Sequence, residues 1–341
     1  MNTGGGADGE LSCQYLEGRL DLSYETIDVC CGFNESPIRI AFQDFNITTL
    51  QQLRHATLAR IHAGTEATCL SCPQLKKKHW TSSGLVESIN IHHFTKCNLR
   101  CVYCFTVIDD QQWIRERWET KYSAYDVIKA VIDAGQLSPR ARVIWAGGEP
   151  TLVEEFDRVT ELVTEFGAYV DVFTNCVRFS PALAKAIERS PSRVYILCSV
   201  DAGTSATYEG MKGADVLQRV WRNISLYNKD RSAVTGKYIF VNAENCADHE
   251  IDAFVAACLE ARVCRVVMDV DGYQVRANRW LTPEEYLPPL VRLGEALRAA
   301  GITTFFGEGV RCHRPDSQQL ITPSLEGLRE CLAGEWRPAH Q

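Results

Sequence analysis

A chain of 341 residues, 45% of them hydrophobic, is long enough to bury a barrel-sized core and still carry an appendage. Its net charge of −7 argues against a nucleic-acid-binding surface, which needs a basic stripe. No run approaches the roughly 18 apolar residues of a membrane span, and the glycine-rich start lacks an apolar signal-peptide core, so a cytoplasmic chain with neither a membrane nor a nucleic-acid partner is expected.

Residues 1–84 follow no regular alternation and read as a separate small module. Within it, 15–22 followed by 27–31 reads as a hairpin ending in thiols, and 50–63 as a helix leading to Cys69-Leu-Ser-Cys72. From Val86 onward, β-like runs alternate with helical ones. Strands are predicted at 86–92, 142–145, 169–174, 194–200, 237–241 and 265–270, with a seventh at 302–306. Helices with apolar residues three and four apart are predicted at 123–134, 152–166, 181–189, 215–227, 250–260 and 283–299. Such alternation implies parallel strands with right-handed crossovers. The expected fold is α/β: a partial (β/α)6 TIM-like barrel over 85–311, an N-terminal cysteine-rich metal-binding module over 1–84, and a C-terminal extension over 312–341. Barrel chemistry sits on the loops after strand C-termini.

Fifteen cysteines in a chain without an export signal point to metals or catalysis rather than disulfides. The densest group, Cys97-Asn-Leu-Arg-Cys101-Val-Tyr103-Cys104, follows the first barrel strand directly. Three thiolates on one loop suit a cubane iron–sulfur cluster with one iron left open, where four cysteines would close it. The alternative is a zinc knuckle, but zinc closes with four ligands, and no fourth Cys or His follows at knuckle spacing. His92 and His93, upstream on the strand, read as core or rim residues. Gly147-Gly148-Glu149-Pro150 follows the second strand; glycines let backbone approach a ligand, and a carboxylate accepts hydrogen bonds from an amine. Phe173-Thr174-Asn175-Cys176 ends the third strand and Ser199-Val200-Asp201 the fourth, where alternation sets Ser199 and Asp201 on one face and Cys198 on the other.

In this order, over about residues 86–270, these motifs resemble the radical SAM superfamily. The resemblance implies that Cys97, Cys101 and Cys104 hold a 4Fe–4S cluster whose open iron is chelated by S-adenosylmethionine (SAM). It implies that Gly147, Gly148 and Glu149 bind the SAM amino group, that Ser199 and Asp201 touch its ribose or carboxylate, and that Tyr103 lies along the adenine with its backbone. Asn175 belongs to an element similar to the family's Thr-Asn-Gly, with Cys176 in place of glycine. The implied chemistry is one-electron cleavage of SAM to a 5′-deoxyadenosyl radical, which takes a hydrogen atom from the substrate. An electron donor such as flavodoxin or ferredoxin is the implied partner.

The N-terminal order Cys13, Cys30-Cys31, Cys69-x2-Cys72 resembles part of a SPASM or twitch module. That module usually follows the barrel, and here it precedes it; its thiols suffice for one auxiliary 4Fe–4S cluster, with structural zinc as the alternative. Cys246, just after the fifth strand, lies where substrate should sit. Radical SAM epimerases use a lone cysteine thiol to return a hydrogen atom, a role for which Cys246 is the candidate ahead of Cys176, Cys312 and Cys331, although an ordinary loop residue or helix-cap neighbour is the weightier reading of Cys246. The expected reaction is epimerisation of a sugar- or aminoglycoside-like small molecule or a peptide. Small molecules stand slightly ahead, because no winged-helix leader-binding domain is evident. Dehydrogenation or crosslinking, with the auxiliary cluster as electron acceptor, is the second outcome. A non-catalytic iron–sulfur or zinc protein is the alternative from another class, and the two SAM-type motifs argue against it.

Overall fold

The computed structural model describes residues 9–30, 36–80, 84–108, 118–230, 232–271, 281–307, 310, 312–313, 320–321 and 337–338. The chain packs as two compact units. The first comprises Met1–Lys96, Trp113–Val172 and Glu188–Val194; the second comprises Cys97–Gln112, Phe173–Ile187 and Tyr195–Gln341.

In the first unit, β1 (Glu10–Ser12) and β5 (Lys76–Lys78) form an antiparallel ribbon. β2 (Arg19–Leu22), β3 (Thr26–Asp28) and β4 (Arg39–Ala41) run antiparallel to one another. β2 then pairs parallel to β6 (Val86–Ile91), β6 to β7 (Leu137–Trp145) and β7 to β8 (Tyr169–Thr174). Val86, Ile89 and Ile91 of β6 are buried, on either side of a register shift between Val86 and Ser88, as are Phe94, Trp145 and Phe156, whose rings pack at 6.2 Å and 5.2 Å between centroids. The helices Ala124–Asp133 and Phe156–Phe166 follow the amphipathic pattern. Ser123 caps the first by accepting the Asp126 amide at 3.1 Å, and Gly167 ends the second with φ of 90°.

In the second unit, β9 (Val194–Ser199), β10 (Val234–Phe240), β11 (Arg265–Val270) and β12 (Thr303–Phe306) are all parallel. The helices Ser205–Lys212, Leu217–Tyr227, Asp248–Glu260 and Pro283–Ala299 connect them in sequence. Trp221, Tyr238 and Phe254 form the aromatic part of its core. The fold is α/β, with the parallel strand–helix alternation of a partial (β/α) barrel.

The expected N-terminal hairpin is present as the antiparallel pair β2 and β3, but its first residues are not strand. Residues Gln14–Gly18 are helical because the Cys13 Sγ caps the turn, accepting the Leu16 amide at 3.4 Å. The antiparallel partner strands are β2 and β3, and β2 adds directly to β6. No helix among the described residues is long and apolar enough to cross a membrane.

Candidate functional site

The loop from Cys97 to Cys104 leaves all three of its cysteines half-buried. Short-range hydrogen bonds shape it: the Cys104 amide donates to the Cys101 carbonyl at 3.0 Å, and the amides of Val107 and Ile108 return to Cys104, starting the helix Phe105–Ile108. On either side of Cys101, the Arg100 amide donates to the Lys212 carbonyl and the Val102 amide to the Met211 carbonyl, both at 2.9 Å. Each sulfur has a polar neighbour. The Asn175 amide lies 3.8 Å from the Cys97 Sγ, and the Thr106 hydroxyl 3.1 Å from the Cys104 Sγ. Burial raises the Cys101 thiol pKa, and the Lys212 ammonium opposes that rise. Asn175 also donates to the Asn98 side chain at 2.8 Å, and its side-chain Oδ1 accepts the Val177 amide at 3.0 Å. Cys176 adopts φ of 56°, which explains why glycine would suit this place.

β9 ends at Ser199, and Asp201 adopts φ of 63°, so strand alternation does not carry through to it. Asp201 is fully buried. Its Oδ1 accepts the Ile239 amide at 2.7 Å, and its Oδ2 takes hydrogen bonds from the Tyr103 hydroxyl and the Lys212 ammonium. Lys212 also donates to the Tyr103 hydroxyl and, at 3.1 Å, to the Ser199 carbonyl. The Tyr103 ring packs against Met211, Ile239 and Val241, so its side chain serves the protein interior. Cys198 is buried, as expected of a small core residue.

In the first unit, the Gly147–Pro150 turn crosses the backbone that runs into Cys97. The Gly148 amide donates to the Phe94 carbonyl at 3.2 Å and the Glu149 amide to the Lys96 carbonyl at 2.7 Å. A Cβ on Gly147, at φ of 86°, would stand 2.7 Å from the Phe94 carbonyl oxygen, and one on Gly148 2.2 Å from that of Lys96. The glycines thus permit backbone to lie on backbone. Glu149 is buried, and its Oε1 accepts the Thr151 hydroxyl at 2.6 Å and the Thr151 amide at 3.2 Å.

Cys246 is half-buried in the turn after β10. Burial, with Glu285 and Glu244 nearby, pushes its thiol up to about 12. Asn245 sets this turn: its side chain accepts the amides of Val241 and Asn242 and donates to the carbonyls of Ile239 and Asp201. Glu250, also absent from the sequence reading as a site residue, receives the amides of Gly203 and Thr204 at 2.6 Å and 2.9 Å and the hydroxyls of Thr204 and Thr207. An Asn in a turn and a Glu at a helix start gave no signal of such long-range partners.

In the N-terminal stretch Cys13 and Cys69 are buried, and Cys30 and Cys72 half-buried. The Cys69 thiol is pushed up to about 12 by burial, then by the neighbouring Cys30, Glu66, Cys13 and Cys72. Cys13 is likewise raised by burial and, more weakly, by Cys72. Cys31 lies outside the described residues. Among the described residues, no three His, Cys, Asp or Glu side chains are gathered as a site for a single metal ion. The donor set of the 97–104 loop, three thiols with no fourth Cys or His on the loop, fits a cluster with one open iron rather than tetrahedral zinc.

Residues 91–255 match the family model described as the radical SAM superfamily. An S-adenosylmethionine-dependent nucleotide dehydratase from Lacinutrix mariniflava is 25% identical over 130 residues, covering 37% of this chain and 26% of that protein. A GTP 3′,8-cyclase from Aliarcobacter butzleri is 29% identical over 147 residues, covering 42% of this chain and 43% of that protein. The chain thus matches less than half the length of these curated relatives. Among solved structures, Streptococcus suis SuiB bound to its precursor peptide SuiA superposes with a TM-score of 0.50 at 14% identity, over 76% of this chain and 62% of SuiB. That likeness is one of fold.

Proposed function

The chain carries a radical SAM domain over residues 91–255, and we propose that it cleaves SAM reductively and epimerises a substrate by hydrogen-atom exchange. Cys97, Cys101 and Cys104 would hold the SAM cluster. The single observation that carries this reading is the three-thiol loop, with a polar neighbour at each sulfur and no fourth ligand of its own. When bound there, a reduced cluster would supply the electron needed to cleave SAM to methionine and a 5′-deoxyadenosyl radical.

The protein's part is to hold substrate beside that radical and to complete the exchange. Bound SAM would supply the acceptor for a hydrogen atom from a substrate carbon held there. Cys246 returns one from its S–H to the opposite face, and the resulting thiyl is restored by one further electron and a proton. Two electrons are thus consumed per turnover, both from a donor of the flavodoxin or ferredoxin kind. Support for Cys246 comes from its position after a parallel strand, and from burial that keeps its thiol protonated at neutral pH. A protonated thiol is the form that donates a hydrogen atom.

Gly147, Gly148, Glu149, Asn175, Ser199 and Asp201 remain the proposed SAM-binding positions, with Tyr103 contributing backbone. A sugar- or aminoglycoside-like molecule or a peptide is the proposed substrate class. The thiols of Cys13, Cys30, Cys69 and Cys72, with Cys31, are proposed to hold an auxiliary 4Fe–4S cluster, zinc being the alternative occupant. The electrostatic coupling of Cys69 to three of the others supports a shared site.

One experiment tests the reading. Anaerobically reconstituted protein is incubated in deuterium oxide with SAM, dithionite and a panel of sugars, aminoglycosides and peptides. Native protein should form 5′-deoxyadenosine and place one solvent deuterium in the epimerised product. The Cys97/Cys101/Cys104→Ala variant should form no 5′-deoxyadenosine. Cys246→Ala should form it but lose the label. Reductive SAM cleavage by the triple variant would remove the cluster assignment. Product two hydrogens lighter and insensitive to Cys246 would favour dehydrogenation, with the auxiliary cluster taking the second electron.

A further inference from the structure

We propose that Lys212 is the positioning residue of the cysteine loop: its ammonium, seated on Asp201, the Tyr103 hydroxyl and the Ser199 carbonyl, fixes Cys101 and places a permanent positive charge beside the cluster sulfurs. The proposal rests on the reading of residues 97–104 as a cluster loop.

Lysine is almost never fully buried unless paired. Here the Lys212 side chain is 2% exposed and its partner Asp201 0%. The ammonium has three protons to donate, and it has three acceptors: Asp201, Tyr103 and the Ser199 carbonyl. Tyr103 accepts from Lys212 and donates to Asp201, closing a triangle in which the hydroxyl of a residue inside the cysteine loop is one corner. The backbone adds two ties. The carbonyls of Met211 and Lys212 accept the amides of Val102 and Arg100, the residues on either side of Cys101. Gly213, at φ of 75°, lets the chain leave this contact; a Cβ there would stand 3.3 Å from the Arg100 Cβ.

Asp201 is itself immobilised. Its second oxygen accepts the Ile239 amide and its carbonyl accepts the Asn245 side chain. A line of fixed groups therefore runs from β10 through Asp201 and Lys212 to Cys101. A buried ion pair is weak evidence for stability, since apolar residues of the same volume often serve as well. A reason to retain a charge here lies beside it, in three cysteines that become thiolates when they ligate iron. Net charge near a cluster is one of the protein's levers on its reduction potential. Removing the ammonium alone would also leave the Asp201 carboxylate uncompensated, which disfavours adding an electron to the cluster.

The test compares native protein with Lys212→Gln, Lys212→Arg and Tyr103→Phe after anaerobic reconstitution. The readouts are the midpoint potential of the SAM-responsive electron paramagnetic signal and the rate of iron loss to a chelator. Lys212→Gln should show a more negative potential and lose iron several-fold faster. Lys212→Arg should restore both toward native values. Tyr103→Phe, which leaves the ion pair intact, should lose iron faster with little change in potential. A Lys212→Gln protein with native potential and native iron-loss rate would overturn the proposal. Should that variant fail to fold, a native iron-loss rate in Tyr103→Phe would overturn it instead. Native protein that takes up no SAM-responsive cluster would defeat the loop reading itself, an outcome distinct from a native cluster indifferent to Lys212.

Discussion

His93 shows how one buried side chain ties stability to pH. Its ring is fully buried, stacks on Tyr122 at 4.8 Å, and donates from Nε2 to the Tyr122 carbonyl at 3.2 Å. Burial lowers its pKa from 6.5 to about 4. The folded chain therefore keeps His93 neutral at pH values where the unfolded chain protonates it. The contribution is complete above pH 6.5 and is lost as pH falls toward 4, reaching about 3 kcal/mol in all. Between pH 7 and pH 5 the loss should be about 2 kcal/mol. His93→Gln should be less stable at pH 7 yet lack this part of the slope, as urea unfolding at the two pH values would show. An unchanged slope would mean that another group carries it. Glu250 does not compete in that window. Burial would raise its pKa, but the hydrogen bonds from Thr204, Thr207 and Gly203 outweigh burial and lower it below 4.5, so its contribution is lost only at more acid pH. At this scale the sequence was partly legible. Asp201 and Tyr103 stood out through their motifs, and His93 as a residue of the core or rim. Lys212 did not stand out as a buried cation, because spacing along a chain says nothing about which charge another strand will neutralise.

At the scale of elements, the strand–helix succession was readable because each period is local. β8, β11 and the helices Pro181–Arg189 and Pro283–Ala299 fall where the apolar pattern placed them. Boundaries slipped where a cap or a pairing decided them: β10 begins at Val234, and the turn after Cys13 is helical. The parallel pairing of β2 with β6 joins segments far apart in sequence, and no local pattern announces it. The Gly147-Gly148 pair read as a ligand-approach element, and its structural duty is backbone packing onto Phe94–Lys96. Gly148→Ala puts a carbon 2.2 Å from the Lys96 carbonyl oxygen, against backbone that cannot rotate away. The chain at 95–96 must shift, and it leads straight into Cys97. We expect a cost of about 1–3 kcal/mol and iron content clearly below native after reconstitution. Gly210→Ala is the control. That glycine lies in the helix Ser205–Lys212 with nothing within 4 Å of a new Cβ, and alanine there should be neutral or stabilising by about 1 kcal/mol. Equal iron content in Gly148→Ala and native protein would show that the base of the cysteine loop tolerates displacement.

For the molecule as a whole, metal content tells whether the N-terminal thiols hold a second group. Cys13 caps a helical turn immediately after β1, and Cys72 lies just ahead of β5, so the β1–β5 ribbon brings together the two ends of the N-terminal stretch that carry them. Cys69 and Cys30 lie within electrostatic reach of each other. The order of cysteines was legible, but which of them lie near one another depends on that ribbon and on β2 joining β6. Substitution tests this better than deletion, because removing residues 1–84 would uncover the edge of β6 that β2 now pairs. If both groups hold 4Fe–4S clusters, anaerobically reconstituted native protein should contain about eight irons per chain, four per cluster. Replacing Cys97, Cys101 and Cys104 by Ala should leave about half of that iron. Replacing Cys13, Cys30, Cys69 and Cys72 should leave the other half, together with the electron paramagnetic signal that SAM perturbs. Four irons and one zinc in native protein, with the zinc lost only in the second variant, would make the N-terminal site structural. It would also leave the electron donor as the direct source of both electrons in the exchange.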